Sequence, residues 1–182
     1  MLAKLENSIM VVVDMQPTFL SGIHGREPLE SRVKFIVETA RLLEVPVVAT
    51  VQNPERMGGV EESIAALLDK DALGKMAFSC CGIERFTSAI DGFHRNQVVL
   101  VGIETHICVN QTAHDLLESG YEPIVCTDAV SARTEKCHKT GVKRLRDAGV
   151  TIAHTESIAY EWTGSADHPK FRDVLKLVKQ YS

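Results

Sequence analysis

One cysteine, Cys108, stands in the stretch "VGIETHICVNQTAHDL", a few residues after an apolar run. If the strand ends near Gly102 and a helix begins near Thr105, Cys108 lies in the first helical turn. Unpaired backbone N–H groups and the helix dipole favour a thiolate there, and the same N–H groups could receive an oxyanion formed by attack on a carbonyl. Cysteine is also a common core residue. Position alone therefore leaves a catalytic nucleophile and a buried core thiol both open.

Two further residues have side chains that could assist a thiol. Asp14 ends the apolar run "VVVD", and a carboxylate at the tip of a buried strand is a candidate base. The segment before Pro17 would also suit a turn, which gives Asp14 a second interpretation as a turn cap. Lys75, in "GKMAFS", could hold a thiolate and a carboxylate in position relative to each other and lower the pKa of the thiol. A lone lysine is more commonly a solvated surface residue.

The remaining reactive residue types form no recognisable site. The five cysteines include an adjacent pair, Cys80 and Cys81, but no CxxC, so neither a zinc site nor a thioredoxin-type redox pair is indicated. The histidines lack metal-ligand spacing, and neither GxGxxG nor a P-loop sequence is present. Asp128, in "CTDAVSAR", is expected after the fifth strand as a cap of the following turn. We therefore predict no metal, no cofactor, and free thiols in a reducing cytoplasm.

Short β-branched runs alternate with helical segments along the chain. Near-continuous apolar strands separated by helices predict a parallel sheet covered on both faces. The fold class is α/β: a Rossmann-like three-layer α/β/α sandwich with a mostly parallel sheet of about six strands. We see no repeat or linker, so residues 1–182 are predicted to form one domain. The predicted strands are "SIMVVVDM", "VPVVATV", "LGKMAF", "NQVVLVG", "EPIVCTD" and "VTIAH".

The predicted helices are "SRVKFIVETARLLE", "GVEESIAALLD", "GIERFTSAIDGF", "HICVNQTAHDLLESG", "EKCHKTGVKRLRDAG" and "HPKFRDVLKLVKQYS".

Ligands bind outside the carboxyl ends of strands in open parallel sheets. Asp14, Lys75 and Cys108 all follow predicted strands, so this rule favours their meeting at one edge.

Composition excludes several classes of partner. The net charge of −4 offers no basic face for a nucleic acid. The apolar runs are far shorter than the ~20 residues of a membrane span, and the N-terminus lacks a signal-peptide pattern. We expect a cytoplasmic protein that binds neither nucleic acid nor membrane.

The order of an Asp after the first strand, a Lys midway and "GIETHIC" resembles the isochorismatase-like cysteine hydrolases. The resemblance spans nearly the whole chain and looks closest to the branch called isochorismatase domain-containing proteins. It is carried by "VVDMQ", "LLEVPVVATVQNP", "KMAFSCCG", "VLVGIETHICVNQTAHDLLESGY", "VCTDAVSAR" and the later pattern HxxGVxRLxxAG.

The resemblance implies a catalytic triad of Asp14, Lys75 and Cys108. Asp14 would take the thiol proton, Lys75 would hold the charges, and Cys108 would attack a carbonyl carbon to form a thioester. A cis peptide before Glu104 would direct the N–H groups of Glu104 and Cys108 towards the oxyanion. The resemblance also implies a small-molecule substrate and a homo-oligomer.

Comparison with family patterns narrows the reaction. Members that cleave the vinyl ether of isochorismate lack the cysteine, so Cys108 favours C–N cleavage. The Asp-x-His metal site of nicotinamidases is absent from "VQNPERMGG". The candidate substrate-binding residues are Gln16, Phe19, Gln52, Phe78 and Ile103. Trp162 is a further candidate pocket wall, and Tyr160 to Trp162 are predicted in a loop that a neighbouring subunit could supply.

The sequence thus predicts a metal-independent amidohydrolase acting on a small amide or carbamoyl compound. Two alternatives remain open. One is a non-catalytic oligomeric binding or scaffold protein that retains the triad, and the other is a redox-sensing thiol, suggested by Cys80 and Cys81.

Overall fold

A computed structural model describes residues 1–181 and confirms the predicted fold class. Six strands form one parallel sheet with the order β3-β2-β1-β4-β5-β6. The strands are β1 (Ser8–Val13), β2 (Val47–Gln52), β3 (Leu73–Lys75), β4 (Gln97–Ile103), β5 (Glu122–Ser131) and β6 (Thr151–Ala153). Strand order reverses between β1 and β4, so the first half of the chain extends to one side of β1 and the second half to the other.

Helices cover both faces of this sheet. They are α1 (Pro17–Leu20), α2 (Arg26–Leu42), α3 (Pro54–Met57), α4 (Glu62–Ala65), α5 (Glu84–Asp91), α6 (Cys108–Glu118), α7 (Glu135–Asp147), α8 (Thr155–Thr163) and α9 (Phe171–Tyr181). Short 3-10 turns lie at Leu5–Asn7 and Cys80–Gly82. None of the helices within residues 1–181 has the length and hydropathy needed to span a bilayer.

Side-chain alternation along β1 divides the core into two layers. Met10 and Val12 pack with α2, α8 and α9, whereas Val11 and Val13 pack with α5, α6 and α7. All six residues of β1 are buried, as expected for a central strand covered on both faces.

Several predicted boundaries differ from the structure. The helix predicted for "GVEESIAALLD" is reduced to the single turn α4, and α6 begins at Cys108 rather than near Thr105. The last predicted helix begins at Phe171, and its final residue, Ser182, lies outside the described residues. β5 continues to Ser131, so Asp128 lies within the strand rather than after it.

The predicted loop around Tyr160 is wrong, because this segment belongs to α8. The N-terminus of α8 is capped from a distance: the backbone N–H and hydroxyl of Thr155 donate to the Asp128 carboxylate at 2.9 and 2.5 Å. Trp162 is buried, and its Nε1 donates to Ser8 Oγ at 2.8 Å. Trp162 is therefore a core residue and not a pocket wall.

Candidate active site

Asp14 and Lys75 form a buried ion pair at the carboxyl ends of β1 and β3. Lys75 Nζ donates to Asp14 Oδ2 at 2.7 Å, and each residue is only 2% exposed. Thr50 Oγ1, on β2 between them, donates to Asp14 Oδ1 at 2.9 Å. Both carboxylate oxygens therefore have a donor. Lys75 is not the solvated surface lysine that its sequence context also allowed.

The ammonium group of Lys75 has further partners. It donates to Gln52 Oε1 at 2.7 Å and to the carbonyl oxygens of Phe78 and Ala77 at 2.9 and 3.3 Å. With Asp14, four oxygen atoms surround one ammonium group. A buried cation is tolerated only when its donors are satisfied in this way.

Cys108 is the first residue of α6 and is 7% exposed. Burial raises the pKa of its thiol to about 12, the negative charge of Asp14 and a hydrogen bond to it act in the same direction, and Lys75 opposes them. The resting group at neutral pH is therefore the thiol. The helix terminus and Lys75 were expected to favour a thiolate, whereas burial and Asp14 raise the thiol pKa.

Between the end of β4 and the start of α6, the backbone N–H groups of Glu104, His106 and Cys108 have no acceptor within residues 1–181. The peptide bond between Ile103 and Glu104 is cis. The Glu104 carboxylate accepts hydrogen bonds from the backbone N–H and the Nε of Arg133 at 2.9 and 3.2 Å.

A cavity of about 90 Å³ brings most of the predicted site residues together. Four apolar side chains form most of its wall, and Cys108 and Asp14 supply its reactive groups. Its lining residues are Asp14, Phe19, Gln52, Phe78, Ile103, Glu104, Ile107 and Cys108. Lys75 is not among them, and it contacts the cavity through Asp14, Gln52 and Phe78. A wider depression of about 810 Å³ lies beside Val51 and Asp69 to Asp71, and contains none of the predicted triad.

Gln16, predicted as a substrate-binding residue, is not among the residues that line this cavity. Its side chain is fully buried and joins two backbone segments. Nε2 donates to the carbonyl oxygens of Gln52 and Gly58 at 3.0 and 2.8 Å, and Oε1 accepts from the Gln52 N–H at 2.7 Å. A buried amide with these partners positions β2 and the following loop.

Three residues near the site were missed by sequence analysis: Thr50, Ile107 and Arg133. Thr50 lies in the buried portion of β2, two residues before the strand ends at Gln52, and a polar residue within this apolar run was the signal that could have identified it. Arg133 gave no comparable signal, since its partner Glu104 is distant in sequence. Residues 1–181 contain no group of three His, Cys, Asp or Glu side chains placed to hold a metal ion.

Comparison with known proteins decides the family. A model of the isochorismatase domain matches residues 8–157. The chain belongs to the isochorismatase family. Within it, the chain is similar to the secreted isochorismatase effector Isc1 of Phytophthora sojae (strain P6497), with 34% identity covering 96% of this chain and 86% of that protein. It is also similar to isochorismatase domain-containing protein 2A of Mus musculus, with 32% identity covering 96% and 84%.

A solved structure, described as the MAR1 ribonuclease from Caenorhabditis elegans, has the same fold. It superposes with a TM-score of 0.93 and 31% identity over 98% of this chain and 93% of that one. The isochorismatase-family resemblance predicted from sequence is thus confirmed.

Proposed function

We propose that this isochorismatase-family hydrolase is a metal-independent amidohydrolase that cleaves a C–N bond of a small amide or carbamoyl compound. One observation carries the proposal: the Cys108 thiol and the Asp14 carboxylate line the same small cavity, and buried Lys75 holds Asp14 at 2.7 Å. A nucleophile beside a base that is itself oriented by a third group is the arrangement required for covalent acyl transfer.

In the first half of the proposed reaction, Asp14 accepts the thiol proton as Cys108 Sγ attacks the carbonyl carbon. The N–H groups of Glu104 and Cys108 donate to the resulting oxyanion. Asp14 then gives its proton to the leaving nitrogen, the C–N bond breaks, and ammonia or an amine departs from a thioester. Because the thiol pKa is raised to about 12, proton transfer to Asp14 accompanies the attack on the carbonyl carbon and does not precede it.

In the second half, Asp14 takes a proton from water, whose oxygen attacks the thioester carbon. Collapse of the tetrahedral intermediate breaks the C–S bond, releases the acid and returns the proton to Cys108. Lys75 keeps the carboxylate in place through both halves, and it is a positioning residue in this scheme.

RNA cleavage, suggested by the description of the similar nematode structure, is a weaker candidate. The net charge is −4, and within residues 1–181 the cations that contact lining residues, Lys75 and Arg133, are paired with Asp14 and Glu104. A phosphate backbone is bound through unpaired basic side chains. The amide reaction therefore fits the cavity better.

A redox-sensing role is also disfavoured. Sensor cysteines are accessible thiols with a low pKa, whereas Cys108 has its pKa raised to about 12. The pKa of the neighbouring Cys81 is also raised to about 12, mainly by burial. A non-catalytic binding role is separated from catalysis by the experiment below.

The decisive experiment measures ammonia release from small amides, ureas and carbamoylated amines by wild type, Cys108→Ala and Cys137→Ala. Cys137 lies on α7 outside the cavity and serves as the matched control. We expect Cys108→Ala to lose on the order of 10³-fold or more of the turnover, and Cys137→Ala to retain it. Turnover that survives in Cys108→Ala contradicts the proposal, and a folded wild type inactive on every compound favours the binding role.

The remaining predictions about the chain belong to the same proposal. We propose that residues 1–182 form one hydrolase domain acting as a homo-oligomer in the cytoplasm. The similar protein Isc1 is described as secreted, so fractionation of the native host, with this protein detected directly, tests the location.

A further inference from the structure

We propose that the acyl part of the substrate is short, uncharged and non-aromatic, comparable in size to an acetyl or propionyl group. This inference rests on the proposed function and specifies its substrate class. It follows from the volume, the charges and the polar groups of the cavity that contains Cys108.

The volume of the cavity limits the size of the acyl group. The cavity measures about 90 Å³, whereas an engineered apolar cavity that binds benzene measures about 150 Å³. An aromatic ring is therefore too large to lie inside unless the walls move. An acyl chain of about three or four non-hydrogen atoms matches the space.

The paired cations exclude a carboxylate on the acyl group. Lys75 Nζ is already surrounded by four oxygen atoms, and the Arg133 guanidinium contacts the Glu104 carboxylate. An entering carboxylate would find no unpaired cation among the lining groups and would lie near Asp14. Burial of an unpaired charge is strongly unfavourable.

The polar groups that remain available serve one carbonyl oxygen. The amide of Gln52 is occupied at both ends, since Oε1 accepts from Lys75 and Nε2 donates to Met76 O at 2.8 Å. Among the lining residues, this leaves the backbone N–H groups of Glu104, Cys108 and Phe78 without an acceptor in residues 1–181, and the first two belong to the segment that carries the thiol. Because Phe19, Phe78, Ile103 and Ile107 form the rest of the wall, a second polar group on the acyl chain would be buried without a partner.

The first test probes the cavity without requiring turnover. Iodoacetamide and iodoacetate are nearly equal in size and alkylate a thiol by displacing iodide, but only iodoacetate carries a negative charge. Their rates at Cys108, followed by mass spectrometry of the peptide, are divided by their rates with free glutathione. We expect the normalised rate to favour iodoacetamide on the order of tenfold or more. Equal normalised rates overturn the charge argument.

The second test concerns size. We expect 2-chloro-2-phenylacetamide to label Cys108 more slowly than chloroacetamide, after the same normalisation, by roughly tenfold or more. Phe78→Ala should reduce this discrimination, because it removes a half-exposed wall. Met76→Ala is the matched control, since its side chain is exposed on the same segment but does not line the cavity. If 2-chloro-2-phenylacetamide labels Cys108 as fast as chloroacetamide does, after both rates are normalised to glutathione, the size limit is overturned.

A panel of acetamide, propionamide, benzamide and succinamate then separates this inference from the proposed function. Cys108-dependent turnover that is fastest with acetamide or propionamide supports both. Cys108-dependent turnover that is fastest with benzamide or succinamate retains the amidohydrolase and overturns the inference. Labelling selectivity without turnover of any amide retains the inference about the cavity and overturns the proposed reaction.

Discussion

At the scale of single residues, the Asp14–Lys75 pair is unusual because both charges are almost completely removed from water. Its attraction alone would not offset the desolvation of two ions, and the hydrogen bonds from Thr50 and to Gln52 satisfy the remaining groups. The pair therefore holds the Asp14 carboxylate in position, and its removal should change the free energy of unfolding independently of any effect on turnover.

Lys75→Met should destabilise the protein by about 3–5 kcal/mol, because it leaves the Asp14 carboxylate buried without its cation. The free energy of unfolding from urea titration measures this change. The double variant Asp14→Asn, Lys75→Met should recover part of the loss, because no charge remains buried.

Lys143→Met provides a control for that experiment. Lys143 pairs with Asp147 on the exposed face of α7, where each side chain is more than half exposed, so the variant should change stability by less than about 0.5 kcal/mol. A Lys75→Met variant as stable as Lys143→Met would show that the buried pair is energetically unimportant.

The sequence located the residues of the candidate site better than it indicated their protonation and their contacts. Strand ends and the family resemblance indicated Asp14, Lys75 and Cys108, since carboxyl ends of parallel strands share an edge. The protonation of Cys108 depends on the depth of its burial, and the role of Gln16 depends on two backbone segments that meet only in the folded chain. Neither property is encoded in local sequence.

At the scale of elements, Gly102 permits close contact between β4 and β1. Its φ is +110°, and an ideal Cβ built on it would lie 2.1 Å from Val13 O and 2.8 Å from Val13 N. Any side chain would therefore force the two central strands apart directly beside Asp14.

Gly102→Ala should be compared with Gly120→Ala in urea unfolding and amide turnover. Both glycines have a positive φ, but no atom lies within 4 Å of a Cβ placed on Gly120. Gly120→Ala should therefore cost only roughly 1–2 kcal/mol of conformational strain. Gly102→Ala should cost a further ~1–3 kcal/mol or more from overpacking, and any folded fraction should lose turnover. Equal losses of stability in the two variants would contradict the contact argument.

Helices and strands were predictable where the sequence pattern within the segment itself indicates the element. The apolar runs of β1, β2 and β4 and the periodicity of α2 identify these elements directly. α8 was missed because its cap, Asp128, lies 27 residues before Thr155. Its docking depends on the contact between Trp162 and Ser8, which are far apart in the chain.

At the scale of the whole molecule, two exposed apolar side chains lie on the short segment that follows β3, beside the cavity. Phe78 is 54% and Met76 is 69% exposed, although Phe78 also lines the cavity. Apolar surface of this kind is commonly covered by a partner. It agrees with the homo-oligomer that the family resemblance implies.

Light scattering coupled to size-exclusion chromatography should give a mass that is a whole multiple, greater than one, of 20.1 kDa at micromolar concentration. Met76→Glu should shift the mass towards one chain if this surface forms the contact, while Lys143→Glu on α7 should not. A wild-type mass of one chain would contradict the prediction.

The sheet order also has a consequence for biosynthesis. β1 completes its pairing with β4 only when Ser8 meets Gln97, so the middle of the sheet stays open while the first half of the chain leaves the ribosome. At about 5–20 residues per second, Cys108 is added on the order of ten seconds after Asp14. A nascent chain thus carries Asp14 and Lys75 for some time before Cys108 is added, and a product that terminates before Gln97 lacks both β4 and the Cys108 thiol.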